Sequence, residues 1–144
     1  MPKVDIKMDI EAPPKTIYDI LMNDELESIW NLTVHENINI GEKKWSVKST
    51  VGDLTSTRIE EVENKRITFD IEGSIFKKLG YIMTIKGDIT EVCGWGEFDD
   101  EKNRSILEKA GDILLRCLKR FSEFIEDGGI PEDFNKKELS VVTP

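Results

Sequence analysis

A chain of 144 residues is one domain's worth: at this length roughly two thirds of the unfolded surface is buried on folding, and no second core is needed. With 38% hydrophobic and 34% charged residues it has the composition of a soluble domain with a well-solvated exterior. The formal net charge of −9 argues against nucleic acid and anionic membranes as partners, because both need Lys and Arg clustered in excess.

No apolar run approaches the about 18 residues of a membrane span, and the opening MPKVDIKMDIE lacks the apolar stretch of a secretory signal. The chain is therefore expected in the cytoplasm. Val4, Ile6, Met8 and Ile10 alternate with Asp5, Lys7, Asp9 and Glu11, which predicts a strand with one wet and one buried face. Ala12-Pro13-Pro14 ends it. Proline suits the first position of a helix, so Pro14 to about Met22 reads as a short helix with Ile17, Ile20 and Leu21 inward. A second short helix, roughly Glu25 to Ile29, ends near Trp30.

A meander follows. Leu32, Val34, Ile38 and Ile40 alternate, as do Trp45, Val47 and Val51, then Ile67, Phe69 and Ile71, then Tyr81, Met83 and Ile85. Turn signals stand at Gly41-Glu42, Gly52-Asp53, Asn64-Lys65 and Gly87-Asp88. Leu54 to Val62 is less regular, and Ile59 and Val62 fall out of phase, which predicts a bulge. Ile89 to Phe98 is the last strand, and Gly94 and Gly96 on one of its faces mark a bend or the close approach of another element.

Ser105 to Glu126 is the one segment with enough helical periodicity to roof the sheet. Ile106, Ala110, Leu114, Cys117, Phe121 and Phe124 fall on one line, flanked by Leu107, Ile113, Leu118 and Ile125. The acidic run Asp99-Asp100-Glu101 suits the positive end of the helix dipole, and Asp127-Gly128-Gly129 supplies a stop. The domain is thus expected over residues 1–129, with residues 130–144 as a surface tail. Cys93 and Cys117 lie within apolar patterns and read as reduced core thiols; a disulfide between them requires strand and helix to face each other.

The segment IEAPPKTIYDILMNDELESIWN, Ile10 to Asn31, resembles the opening of the START-like or helix-grip (SRPBCC) superfamily, in particular its polyketide cyclase/dehydrase and lipid-transport branch. There a strand leads through Ala-Pro into a short helix and on to a tryptophan. The likeness spans about Val4 to Asp127. It implies an α+β fold in which a curved antiparallel sheet of about seven strands wraps a long C-terminal helix around an apolar cavity. It also implies a hydrophobic ligand such as a lipid, sterol or polyketide, in some members a cyclisation or dehydration, and in others a role in protein complexes. No invariant catalytic set comes with the resemblance.

The chain's own residues supply little classical chemistry. His35 is the single histidine and lies out of phase with Leu32, Val34 and Ile38, so it is expected on the surface, and neither a metal site nor a His-activated nucleophile is supported. Gly94-Trp95-Gly96 is followed by no further glycine or lysine of a phosphate loop. Tyr81 belongs to an inward set and Arg58 shares a face with Leu54 if its strand stays regular, so the pair is placed to orient or polarise a ligand carbonyl. The structural reading is the stronger one, with Tyr81 as a core aromatic whose hydroxyl reaches the rim and the bulge near Ile59 leaving the direction of Arg58 open, so no catalytic residue is assigned. Trp30, Trp45 and Trp95 offer flat apolar surface to a ligand or, alternatively, fill the core.

The long helix tapers, with small inward residues near its start, Ala110 and Gly111, and large ones near its end, Phe121 and Phe124. A glycine inside a helix costs about 1 kcal/mol relative to alanine, which points to a ligand or a close neighbour at Gly111. The pocket is therefore expected over the first half of the helix, lined by Trp30, Trp45, Arg58, Phe69, Tyr81, Met83, Trp95, Ala110, Gly111 and Leu114. The expected function is binding of a hydrophobic small molecule without cofactor or metal. The alternatives are a cofactor-independent cyclase or dehydratase, and a protein-interaction module of the same fold. Ligand identity and oligomeric state are left open.

Overall fold

The computed structural model describes residues 2–50 and 52–135; Val51, placed above in the alternation of its strand, and residues 136–144 of the expected tail lie outside the described residues. Strand β1 (Lys3–Ile10) buries Val4 and Ile10 and exposes Lys3, Asp5, Lys7 and Asp9, as its alternation requires. Helix α1 (Pro14–Met22) starts on its proline and buries Ile17, Tyr18, Ile20 and Leu21. A 3-10 turn, Asp24–Leu26, feeds the single-turn α2 (Glu27–Trp30). Strands β2 (Val34–Gly41), β3 (Lys44–Ser49), β4 (Gly52–Val62), β5 (Arg66–Glu72), β6 (Phe76–Lys86) and β7 (Ile89–Phe98) then run up and down, and a second 3-10 turn leads into α3 (Arg104–Glu126). The strands form one antiparallel sheet in the order β1-β7-β6-β5-β4-β3-β2, so the last strand returns to pair with the first and β1 and β2 are the edges.

Three irregularities decide which side chains face the helix. In β2 the register shifts between Val34 and Glu36, and His35 is exposed there. One extra residue reverses the faces of everything beyond it. Asn37 and Asn39 therefore pair with the inward Val47 and Trp45, while Ile38 and Ile40 are exposed by 49% and 53%. The alternation of Val34, Ile38 and Ile40 is real in the sequence but does not describe one face. In β4 the shift lies between Arg58 and Glu60, at the expected place, and Ile59 is exposed. Residues three apart normally point to opposite faces of a strand; the bulge brings Arg58 and Glu61 to the same side, 3.5 Å apart. In β6 a shift between Phe76 and Lys78 lets Phe76 share the buried side with Tyr81 and Met83.

Helix α3 buries Leu107, Leu115, Cys117, Leu118, Phe121 and Ser122. That face is rotated by most of one residue step from the line through Ile106 and Ala110, and Ile106 is 55% exposed. Leu115 replaces it at the sheet, because Gly94 leaves room for its Cδ2, only 3.4 Å from where a Cβ would stand. The side of the helix also closes the edge of β1. Arg104 Nη1 donates to the Lys3 carbonyl at 3.0 Å, Lys119 Nζ to the Asp9 carbonyl at 3.2 Å, and Glu123 Oε2 accepts from the Glu11 N–H at 2.9 Å. These contacts occupy backbone groups that an open edge would offer to another chain.

The helix stops where expected. Gly128 takes a φ of +89°, its N–H donates to Ile125 O, and the Gly129 N–H reaches back to Phe124 O, which is a Schellman ending. The chain then stays on the domain: the Phe134 ring meets Phe121 edge-on at 5.0 Å and Phe124 at 5.4 Å. Cys117 is buried, but Cys93 departs from the expected core position, half-buried on the opposite face of β7 beside Lys7 and Ile82. The two thiols are on opposite sides of the sheet, and no disulfide joins them.

Two glycines lie under close neighbours that differ in how easily they can yield. A Cβ at Gly80 would stand 2.7 Å from the Trp95 ring and 2.8 Å from the Ile67 carbonyl, whereas one at Gly111 would meet only the terminal methyl of Ile6 at 2.9 Å. Gly80→Ala is expected to destabilise by about 1–3 kcal/mol through overpacking. Gly111→Ala is expected to be neutral or stabilising by up to about 1 kcal/mol, because helix propensity improves and the Ile6 methyl can turn away. Chemical denaturation of both variants tests this, and the reverse ranking would contradict the packing described.

Candidate functional site

Between the inward face of the sheet and the first half of α3 lies a cavity of about 140 Å³. Its floor is helical, made of Leu107, Ala110, Gly111, Leu114 and Leu115. Val4 and Ile6 from β1, Trp45 and Val47 from β3, and Phe69, Ile71, Phe76 and Tyr81 from β5 and β6 form the apolar walls. Register explains the gathering. Ile71 pairs with Ser56 and Ser56 with Trp45, while Phe69 pairs with Leu79, Leu79 with Gly96, and Gly96 with Val4, so side chains from several strands stand in rows on one side.

One end is polar. Asp24, Glu27, Asn31, Thr33 and Asn37 reach the cavity from the turn before α2, from α2 itself and from the start of β2. Asn31 is fully buried and anchors this end: its Oδ1 accepts from the Thr33 N–H at 3.0 Å and the Thr33 hydroxyl at 2.7 Å, and its Nδ2 donates to Glu27 Oε1 at 3.3 Å. Asn37 Nδ2 donates to the Asp24 carbonyl at 3.3 Å, and that contact orients the amide. Its Oδ1 is shut away from solvent and accepts no hydrogen bond among the described residues. Burial, and then the negative charge of Glu27, holds the Tyr81 phenol well above its ordinary pKa, so it is a neutral hydroxyl in the physiological range.

Arg58 sits behind this end rather than in it. Its guanidinium carbon lies 4.8 Å from the Trp45 ring centroid, Nη1 is 3.3 Å from Asp24 Oδ2 and Nε is 3.5 Å from Glu61 Oε2. The side chain is 9% exposed. Asp24 and Trp45, both touched by Arg58, border the cavity on one side and an open surface cleft with Asp19, Met22 and Asn39 on the other. They are the partition between interior and solvent.

The expected site residues divide accordingly. Trp45, Phe69, Tyr81, Ala110, Gly111 and Leu114 line the cavity. Trp30 does not: it is 0% exposed within the core, away from the lining. Met83 is buried in the core and outside the lining. Arg58 is engaged with Asp24, Glu61 and Trp45, so the anticipated Arg58–Tyr81 pair is not brought together. Trp95 bounds the cavity only through its strand, since its ring covers Gly80 on the outer face, with Lys3 Nζ 5.0 Å from the ring centroid. Alternation next to the inward Gly94 and Gly96 carries that signal. Leu107, Leu115 and Phe76 also line the cavity, as do the polar Asp24, Glu27, Asn31, Thr33 and Asn37, none of which the sequence pattern marks as lining; the bulge in β2 hides the inward direction of Asn37.

Arg58→Met is expected to cost about 2–3 kcal/mol at neutral pH, because it strands a half-buried Asp24 charge. Burial already raises the Asp24 pKa, against the pull of Arg58. A carboxyl whose folded pKa lies above its unfolded one loses stability as pH rises through the folded value, and removing Arg58 lifts that value further. The stability gap between variant and parent should therefore narrow from about pH 8 to about pH 4.5. Urea unfolding across that range is the test, and a gap that widens on acidification would contradict the assignment.

No protein-family model matches the sequence, and no curated protein matches it at a significant level. Solved structures do. A START superfamily protein from Mycobacterium smegmatis superposes with a TM-score of 0.74 at 12% identity, covering 85% of this chain and 98% of that one. The protein XoxI from Bacillus cereus gives a TM-score of 0.73 at 13% identity, covering 88% and 99%. Aha1 from Colwellia psychrerythraea, solved as a dimer, gives 0.65 at 16% identity over 83% and 94%. At such identities the likeness speaks for the fold alone, and together with the seven-stranded curved sheet around α3 it shows that this chain has the START-like helix-grip fold.

Proposed function

We propose that this domain binds a small hydrophobic molecule in the cavity between the sheet and the first half of α3. The observation that supports it most is the combination of size and lining: a largely apolar space of about 140 Å³ within a helix-grip fold. An apolar cavity of about 150 Å³ is large enough to hold a benzene ring, so the space as it stands fits one ring or a short chain. Entry past Trp45 and Asp24 is the short route, since both also face the outer cleft. A cyclase or dehydratase reading has less support, because Arg58 is outside the lining, engaged with Asp24, Glu61 and Trp45, and does not join Tyr81.

Native mass spectrometry of the protein purified from its own host is expected to show a bound organic molecule; a protein mass alone would favour the interaction-module alternative. The position of the cavity has its own test. Ala110→Phe is expected to abolish binding of toluene, followed by NMR titration, while changing stability by less than about 1 kcal/mol. A loss of about 1–3 kcal/mol would be the mark of overpacking, and would mean that the space above Ala110 is already filled.

A further inference from the structure

The cavity and the outer cleft share a wall made of two side chains. Among the described residues, Asp24 and Trp45 are the two that border both spaces. Their backbones are fixed: Trp45 is paired in the sheet with Asn39 on one side and Ser56 on the other, and the Asp24 carbonyl accepts from Asn37 Nδ2 at 3.3 Å. Passage between cleft and cavity therefore turns on the indole and the carboxylate themselves. One residue holds both. The Arg58 guanidinium carbon stands 4.8 Å from the Trp45 ring centroid, and Nη1 stands 3.3 Å from Asp24 Oδ2. Glu61 anchors Arg58 in turn, with Oε2 3.5 Å from Nε, and is itself held by Lys43 Nζ at 2.8 Å. Arg58 thus bridges the two halves of the wall without lining the cavity. The bridge is close but not tight. A charge-assisted N–H···O bond is ordinarily about 2.7–2.9 Å long, and the buried Arg58 Nε makes no hydrogen bond among the described residues. Water admitted from the cleft as the side chains part would reach that donor, which offsets some of the lost ion pairing and ring contact.

On the reading that this cavity is a binding site, we infer that Arg58 governs how fast ligand enters and leaves it. The Trp45 ring and the Asp24 carboxylate form a side-chain door, and Arg58 is the pin that keeps them together. The pin makes the same contacts whether the cavity is filled or empty and gives them up only during passage. A contact of that kind changes the association and dissociation rates by one factor and leaves their ratio alone, because it distinguishes neither end state. Arg58 is thus a positioning residue that times exchange, while the choice of ligand rests with the lining.

Exchange of toluene with the full chain, read from NMR line shapes through a titration, tests the inference. Arg58→Lys keeps the charge but loses the planar ring contact and the forked reach, and Arg58→Gln loses the charge as well. Both rates are expected to rise together, several-fold in Arg58→Lys and about tenfold or more in Arg58→Gln, with Kd within about threefold of the parent. Arg58→Lys alone decides the matter if Arg58→Gln does not fold. Phe134→Ala is the control: it removes packing on Phe121 and Phe124 at the other end of α3, outside the cavity lining, and should leave both rates unchanged. Rates equal to the parent's in the Arg58 variants overturn the inference while the cavity reading stands. So does a weakened Kd at an unchanged association rate, which would make Arg58 part of the site. An equal acceleration in Phe134→Ala also overturns it, since exchange would then follow overall stability. Failure of toluene to bind the parent protein overturns the cavity reading, and this inference falls with it.

Discussion

The structure is organised by a mismatch of widths. Seven strands spaced by about 4.8 Å make a sheet roughly 29 Å across, whereas a helix with its side chains is about 10–12 Å thick. One helix cannot cover such a face, so the sheet curves around α3 and the remainder must be filled by other elements or left open. At the second half of α3 the remainder is filled: Cys117, Leu118 and Phe121 are buried, α1 packs alongside, and Phe134 closes over Phe121. At the first half the helix presents Ala110 and Gly111, side chains too small to reach the far wall, and the cavity is what remains.

Two kinds of contact keep that space open rather than collapsed. Backbone carbonyls of β1 are tied to Arg104 and Lys119, which fixes the distance between the helix and the near edge of the sheet. At the other side the Arg58 guanidinium spans Trp45, Asp24 and Glu61, locking β3 and β4 to the turn before α2. That lock depends on the bulge at Ile59, without which Arg58 and Glu61 would point to opposite faces. A structural arginine at the wall of the cavity is thus easily mistaken, in sequence, for a ligand-facing one.

Much of the fold was legible because β1, β5, β7 and α1 obey simple periods. Pro14 started α1, Gly128 ended α3, and the out-of-phase Ile59 announced its bulge. What was illegible shares a cause. A one-residue bulge changes which parity is buried without changing the pattern of residue types, so Ile38 and Ile40 looked inward while Asn37 in fact pairs with Val47. In α3, Leu114 and Leu115 were equally apolar, and the choice between them was made by Gly94 on a distant strand. The floor of the cavity was readable from the small residues Ala110 and Gly111. Its polar end was not, because Asp24, Glu27 and Asn37 converge only through the turn at α2 and the slipped register of β2.

The central claim is that the space over the first half of α3 is real and accepts apolar matter. A crystal structure determined under xenon pressure addresses it without any assumption about the natural ligand. The account predicts xenon density bounded by Leu107, Ala110 and Leu114 below and by Trp45, Phe69 and Tyr81 above, with those side chains unmoved. Side chains occupying that volume, and xenon found only elsewhere, would contradict it.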